Sequence, residues 1–175
     1  MCIRNRYERA VPIQSAMRNI FEVGTGGGSI AQVAAEGGLR VGPQSAGAQP
    51  GPACYGQGGD NPTVTDANVL LGRLSPDRFL GGEMTLDVAA AESAIKKKIA
   101  DPLGLGTVEA AQGILRIAVT AMSHAVKAVT TERGLDAGDF AMVAYGGAGP
   151  LHACNIGREM GIRKIIIPRS PGHFS

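Results

Sequence analysis

The feature that most constrains the fold is an apolar segment followed by a glycine-rich loop, a helical segment and a second apolar segment. The first apolar segment, residues 140–145, is continuous rather than alternating, as in strands buried within a parallel sheet. The helix is predicted over residues 151–160, with Pro150 in its first turn and Gly161 past its end. Residues 164–168 then form the next strand. This order predicts an α/β fold with two parallel neighbouring strands and a right-handed crossover.

The glycine-rich loop between the first strand and the helix contains Gly146, Gly147, Ala148 and Gly149. Glycines let a backbone approach a ligand closely, and a helix N-terminus offers free N–H groups and a partial positive charge. The loop therefore indicates a nucleotide or phosphate site, with a tight packing turn as the alternative. It matches neither the Walker A loop nor the G-x-G-x-x-G fingerprint.

A second glycine cluster near the N-terminus contains Gly26, Gly27 and Gly28, followed by Ser29. Successive backbone N–H groups in such a cluster form a nest that binds anions, although a flexible turn before a strand is the alternative. Alternation of apolar and polar residues after it predicts a small hairpin, with strands at 29–34 and 39–41.

The middle of the chain is predicted as a long loop and three helices. Residues 42–62 are rich in glycine and proline, and a loop of this length is either disordered or functional. Thr65 would cap a short first helix, and Asp87 a second that stops at about Ala100. A third, capped by Thr107 and continuing to Arg133, would be about 40 Å long with an apolar stripe that needs covering.

Few side chains stand out as chemically active. Asp66 is a candidate catalytic carboxylate, with a first-turn acid favoured by the helix dipole as the alternative. His152 would reach a ligand of the glycine-rich loop, although a lone histidine is more often structural. Cys154 is predicted as a small buried residue and His124 as a core or partner contact. Cysteine and histidine show no metal-binding spacing, so metal ligands stay unknown.

Charge and composition exclude several functions. The net charge is +2, from 17 basic and 15 acidic residues without a basic stripe, which argues against nucleic acid. No apolar stretch is long enough for a membrane span, and the N-terminus lacks the apolar region of a signal peptide. Three cysteines, Cys2, Cys54 and Cys154, without a C-x-x-C spacing predict a reducing cytoplasmic location.

Four segments in order resemble the hydantoinase A / 5-oxoprolinase family, which includes nucleotide-binding subunits of acetone and acetophenone carboxylases. They are residues 23–31, 41–56, 62–74 and 144–153. The resemblance predicts a partial domain over residues 22–175, while residues 1–21 are irregular and do not match.

The resemblance implies an actin/Hsp70/sugar-kinase-like ATPase fold, here a partial lobe with parallel strands, a long central helix and a small hairpin. It implies ATP with Mg²⁺ as cofactors and a small cyclic amide or ketone as substrate. The resemblance further implies that residues 146–149 cradle the adenosine part of the nucleotide, and it places residues 26–29 and Asp66 near the active cleft.

Departures from the family pattern shape the functional prediction. Family members usually carry an Asp a few residues before the first glycine cluster, whereas residues 18–22 of this chain contain none. The upstream phosphate loops are absent, and family members continue beyond residue 175. The chain is therefore predicted to be a fragment of an ATP-dependent hydrolase that opens hydantoin or 5-oxoproline rings. The alternatives are a fragment of a ketone carboxylase subunit and a non-catalytic remnant. Alone it is expected to be inactive and self-associating, and to need a hydantoinase B-like subunit or the missing lobe.

Overall fold

The N-terminal part of the structure is a β-hairpin. The computed structural model describes residues 20–173. Strands β1 (Ser29–Val33) and β2 (Leu39–Ser45) pair antiparallel, as predicted. The second strand is longer than the sequence indicated, because Ser29 still faces Ser45 across the hairpin. The hairpin positions the first glycine cluster directly before β1.

Helix α1 (Val64–Leu70) follows the long loop and is almost entirely buried. Its N-cap is Thr63 rather than the predicted Thr65: Thr63 and Asp66 form a capping box in which each side chain accepts the other's backbone N–H. Thr65 is already the second residue of the helix, and its hydroxyl donates to the carbonyl of Gly27 at 2.9 Å. The residue predicted as a cap thus ties the helix to the glycine cluster.

Helix α2 (Val88–Ile95) begins at Asp87, as predicted, and the Asp87 side chain accepts the N–H of Ala90. The predicted stop at about Ala100 is wrong. The chain continues through a π-helical segment, Lys96–Ala100, into the single turn α3 (Asp101–Leu103). The wider π turn precedes Pro102, which has no N–H for an ordinary helical bond, and so lets the helix pass the proline.

Helix α4 (Thr107–Val129) is the long central helix. Thr107 is its first residue and not its cap, which is Gly106. The α-helix ends earlier than predicted, and a 3₁₀ turn, Thr131–Arg133, carries the chain to Gly134. Within residues 20–173 no helix, α4 included, is long and apolar enough to cross a membrane.

The main core lies where the first half of α4 packs on α1, on the end of α2 and on the hairpin. Its members are almost all aliphatic: Ala31, Val64, Ala67, Ile95, Ile99, Ala100, Ala110, Ala111, Ile114, Leu115 and Ala118. A smaller cluster on the other side of α1 joins the long loop to α2 through Cys54, Val69, Leu86 and Ala91. Helix α1 is therefore covered on two sides, which explains why even its polar residues are buried.

The C-terminal unit contains β3 (Ala141–Val143), α5 (Gly149–Met160) and β4 (Lys164–Ile166). The two strands are parallel neighbours, as predicted. The predicted burial of the first strand is wrong, because Val143 is 43% exposed, and Ile166 in the neighbouring strand is similarly exposed. In the described part of the chain this sheet has only two strands, so its apolar side chains lack a covering layer. The fold is mixed α/β.

Candidate functional site

The first glycine cluster is a closed turn. The Ser29 hydroxyl accepts the N–H of Gly26 at 2.9 Å, and the Ser29 N–H donates to the Gly26 carbonyl at 3.1 Å. Two amides of the predicted anion nest are therefore used within the turn itself. The carbonyl of Gly27 accepts both the N–H and the hydroxyl of Thr65. This turn is fixed to the start of α1.

Close packing explains why this turn requires glycine. A Cβ atom on Gly27 would lie 2.8 Å from the Thr65 hydroxyl oxygen, and one on Gly28 would lie 2.7 Å from the Ser45 hydroxyl oxygen. Real Cβ atoms do not approach this closely, so the surrounding residues would have to move. Gly27 and Gly28 thus lie in a closely packed turn, which differs from the flexible turn that the sequence offered as the alternative to an anion nest.

The second glycine cluster is open instead. Gly146 has φ +89°, a conformation suited to glycine, and its N–H donates to the Pro171 carbonyl at 2.7 Å. Added Cβ atoms on Gly147 and Gly149 would meet no atom within 4 Å. Ala148 precedes α5, and no side chain caps the helix there. Within residues 20–173, the positive end of the α5 dipole therefore has no side-chain cap.

The two glycine clusters, far apart in sequence, meet in one cavity of about 500 Å³. Such a volume is typical of small-molecule sites. Of the eight residues predicted to bind a cofactor, Gly27, Gly28, Gly147 and Ala148 line it. The other four, Gly26, Ser29, Gly146 and Gly149, belong to the same two turns but do not line the cavity. The remaining lining residues are Tyr55, Thr65, Asn68, Arg73, Leu74, Ser75, Arg78, Phe79, Leu80 and Leu151. The name glycine cavity is used for this site below.

The glycine cavity is cationic. Arg73 and Arg78 line it, and none of the described lining residues is Asp or Glu. Leu74, Phe79, Leu80 and Leu151 supply an apolar wall beside the arginines. This combination suits a ligand with an anionic part and a flat or apolar part. Sequence analysis missed both arginines, because single basic residues in an irregular segment are usually solvated.

Tyr55 connects the glycine cavity to the long loop. Its ring packs against Phe79 with centroids 5.5 Å apart and planes inclined by 44°. Burial raises the pKa of the Tyr55 hydroxyl, with further contributions from Cys54 and Asp66. The hydroxyl is thus a neutral hydrogen-bonding group near physiological pH.

Asp66 is fully buried and holds the long loop in place through hydrogen bonds. Its carboxylate accepts hydrogen bonds from the backbone N–H groups of Ala53, Cys54 and Thr63 and from the Thr63 hydroxyl, at 2.7–3.3 Å. It does not line the glycine cavity. These contacts correspond to the alternative interpretation of Asp66, an acid at the first turn of a helix.

Cys54 is an inert member of the same cluster. Its side chain is buried, and burial raises the pKa of the thiol far above its ordinary value, with the negative charge of Asp66 as the next cause. The thiol is therefore protonated at physiological pH. Cys154, predicted to be buried, is exposed, as is His124. Cys2 lies outside the described residues.

His152 is fully buried on α5 and does not line the glycine cavity. Among the described residues, neither ring nitrogen has a hydrogen-bond partner. Burial lowers the pKa of the imidazole, and the positive charge of Arg73 lowers it further. The His152 imidazole is therefore neutral near physiological pH.

Asn68 is a lining residue of the glycine cavity that sequence analysis treated only as a cap. Its amide nitrogen donates to the Val64 carbonyl at 2.9 Å, while Oδ1 has no partner among residues 20–173. A buried amide oxygen without a partner is energetically costly.

Metal ligands are not evident. In the described part of the chain no three His, Cys, Asp or Glu residues come together in a geometry that could hold an ion. The described lining of the glycine cavity also offers no carboxylate. A Mg²⁺ ion at this site would therefore be held chiefly through the phosphates of a bound nucleotide, a common mode for this ion.

Comparison with known proteins gives a consistent result. The family model described as hydantoinase/oxoprolinase matches residues 1–175, a range that includes residues 1–21, to which sequence analysis assigned no resemblance. The caprolactamase subunit alpha of Pseudomonas jessenii is 45% identical, with 94% of this chain and 23% of that protein covered. The acetophenone carboxylase gamma subunit of Aromatoleum aromaticum is 46% identical, with 91% and 22% covered.

A solved structure agrees with this similarity. The crystal structure of ATP-dependent caprolactamase from Pseudomonas jessenii superposes with a TM-score of 0.79 at 46% identity, covering 83% of this chain and 21% of that one. This chain therefore spans less than a quarter of the length of the relatives it matches.

Proposed function

The chain belongs to the hydantoinase/oxoprolinase family, and from this premise we propose that the glycine cavity is the nucleotide site of an ATP-dependent enzyme that opens cyclic amides. The observation that carries the proposal is that two glycine clusters, distant in sequence, line one cavity together with Arg73 and Arg78. The solved relative is described as an ATP-dependent caprolactamase, and caprolactam is a cyclic amide. The activity proposed is that of a protein of which this chain forms a part.

Each wall of the glycine cavity has a role in this proposal. The arginines and the uncapped N-terminus of α5 hold the phosphates, because both present positive charge to the same space. Gly147 lets the backbone approach the adenosine part, and the apolar wall with Tyr55 packs against it. Bound ATP supplies the activation that an unstrained amide needs before its ring opens.

The fold supports the same proposal at a coarser level. A strand, an open glycine loop, a helix and a parallel strand occur together, as expected for one lobe of an actin/Hsp70-like ATPase. The relatives are named as alpha and gamma subunits, which supports a second chain as partner. We propose that the phosphate loops and the cyclic-amide site come from parts beyond these 175 residues. The chain alone is then expected to bind nucleotide without turnover, in the cytoplasm.

A ketone carboxylase subunit is the second candidate. The identity to the acetophenone carboxylase gamma subunit, 46%, matches that to the caprolactamase subunit, 45%. Both candidates place ATP in the glycine cavity and differ only in the group activated. Turnover of a lactam or of a ketone with bicarbonate by a reconstituted complex would distinguish them.

The direct test is calorimetric titration of the purified chain with ATP or ADP and Mg²⁺. The variant Gly147→Val should lose binding, because its side chain would occupy the cavity without meeting any protein atom. Gly38→Val is the matched control: Gly38 is an exposed hairpin glycine with open space around its Cβ position, and it lies outside the cavity.

Two results would contradict the proposal. Equal binding by wild type and Gly147→Val would place the nucleotide elsewhere. Absence of binding by a folded wild-type chain would favour the non-catalytic remnant.

A further inference from the structure

A second cavity, of about 330 Å³, lies between α4 and α5. It is lined by Arg73, Gln112, Leu115, Arg116, Val119, Thr120, Asn155 and Glu159. Only Arg73 also lines the glycine cavity. The name interhelix cavity is used for it below.

The interhelix cavity contains charges of both signs that do not neutralise each other. Among residues 20–173 the sole ion pair joins Lys98 to Asp60, so Arg73, Arg116 and Glu159 have no ionic partner. One carboxylate oxygen of Glu159 accepts the Ser123 hydroxyl at 2.9 Å, which fixes the side chain and leaves the other oxygen without a hydrogen bond among these residues. Opposite charges that share a cavity without pairing are available to a ligand that carries both.

The positions of the charges set the length of that ligand. Arg116 and Ser123 are seven residues apart on α4, which corresponds to about 10 Å along the helix axis. The Ser123 hydrogen bond places Glu159 near the level of Ser123. Val119, which is buried, lies between these two levels, and the buried Leu115 lies beside the Arg116 end. Arg116 thus lies toward one end of the cavity and Glu159 toward the other, with Val119 between them.

We propose that the interhelix cavity binds a linear ω-amino acid, with its carboxylate on Arg73 and Arg116 and its ammonium group on Glu159. An extended chain advances about 1.2 Å per bond, so six bonds between nitrogen and carboxylate carbon span about 7 Å, whereas the two bonds of an α-amino acid span less than about 3 Å. The longer molecule reaches both ends with the help of the flexible side chains. Ring opening of a lactam by water releases this class of molecule, so a product-binding role rests on the proposed function, although the site itself does not.

The test uses matched probes on the purified chain, with binding measured by calorimetry or NMR titration. The probes are 6-aminohexanoate, hexanoate without the cation, hexylamine without the anion, and glycine with both charges close together. We expect 6-aminohexanoate to bind more tightly than the other three. Arg116→Gln should weaken 6-aminohexanoate and hexanoate about tenfold and leave hexylamine unchanged.

The complementary variant is Glu159→Gln, which retains an acceptor for Ser123. It should weaken 6-aminohexanoate and hexylamine and leave hexanoate unchanged. The proposal is overturned if 6-aminohexanoate binds no better than glycine, or if both variants weaken all probes alike. Neither residue lines the glycine cavity, so retained ATP binding reports a folded chain, and loss of one ligand leaves the proposal for the other intact.

Discussion

The two glycine clusters have similar sequences and opposite surroundings. At Gly27 and Gly28 an added Cβ atom would collide with hydroxyl groups, whereas at Gly147 and Gly149 it would meet open space. The first cluster therefore needs glycine so that the hairpin can pack against α1. The second does not need it for packing at Gly147, which is consistent with the proposal that this loop is kept small for a ligand. A glycine-rich motif becomes functional evidence only when its surroundings are known.

The difference extends to the regions around the clusters. The first belongs to the part of the chain centred on α1, where even Asp66 and Asn68 are buried. The second belongs to the β3–α5–β4 unit, where Phe140 and Ile167 are nearly half exposed, at 47% and 48%. The glycine cavity thus lies between a tightly packed wall and a sparsely covered one. The predictions below test this contrast in order of decreasing effect.

Removing the Asp66 carboxylate should cause the largest loss of stability. Asp66→Ala leaves three buried backbone N–H groups without their acceptor, so the free energy of unfolding should fall by about 4 kcal/mol, measured by urea denaturation. Asp139→Ala, at an exposed position in the C-terminal region, serves as control and should have little effect. A near-neutral Asp66→Ala would show that the loop is held by other contacts.

Alanine substitution should separate the two glycine clusters directly. Gly27→Ala should lower the free energy of unfolding by about 2 kcal/mol, because Thr65 cannot retreat without losing its bond to the Gly27 carbonyl. Gly147→Ala should change stability by less than about 0.5 kcal/mol. Thermal unfolding of both variants measures this, and equal destabilisation would remove the distinction between the clusters.

The two arginines should affect ligands rather than stability. Arg73→Gln and Arg78→Gln should each weaken ATP binding about tenfold, with a smaller loss at high salt. Arg40→Gln, on the hairpin and outside both cavities, is the control. Because Arg73 lines both cavities, only Arg73→Gln should also weaken 6-aminohexanoate. Equal effects of both arginines on that ligand would argue against a separate interhelix site.

The smallest effect expected is a pH dependence from His152. Its pKa in the folded chain lies below the ordinary value of 6.5, so the unfolded chain binds the proton more readily. The contribution of neutral His152 to the free energy of unfolding should be complete above pH 6.5. It should be lost progressively as the pH falls towards the lowered pKa. His152→Leu should flatten this decline, whereas the exposed His124→Leu should not. An unchanged slope in His152→Leu would assign the pH dependence to other groups.

Sequence alone predicted what depends on local pattern. The hairpin, the Asp87 cap, the parallel pairing of β3 with β4 and the family all follow from periodicity or from motifs with strong local rules. The wrong predictions occurred where a distant group decided the outcome. Thr65 and Thr63 look alike as caps in the sequence, but Thr63 forms the capping box with Asp66 whereas Thr65 bonds to the distant carbonyl of Gly27.

The glycine cavity was predicted only in part for the same reason. Both clusters were identified as candidate sites, but nothing in the sequence showed that they share one cavity. Arg73 and Arg78 lie in a segment without periodicity, so their common orientation depends on the irregular turns around Pro76. The exposure of β3 could not be predicted either, since a continuous apolar run indicates burial only where other strands cover it.

The Asp66 cluster also determines how the long loop behaves over time. The loop is poor in helix and strand, yet the amides of Ala53, Cys54 and Thr63 all end on one buried carboxylate. Those protons can reach deuterated solvent only when the loop separates from α1. Their hydrogen exchange should therefore be as slow as that of the core helices, and a protease should find no easily cut site at this point of a glycine-rich segment.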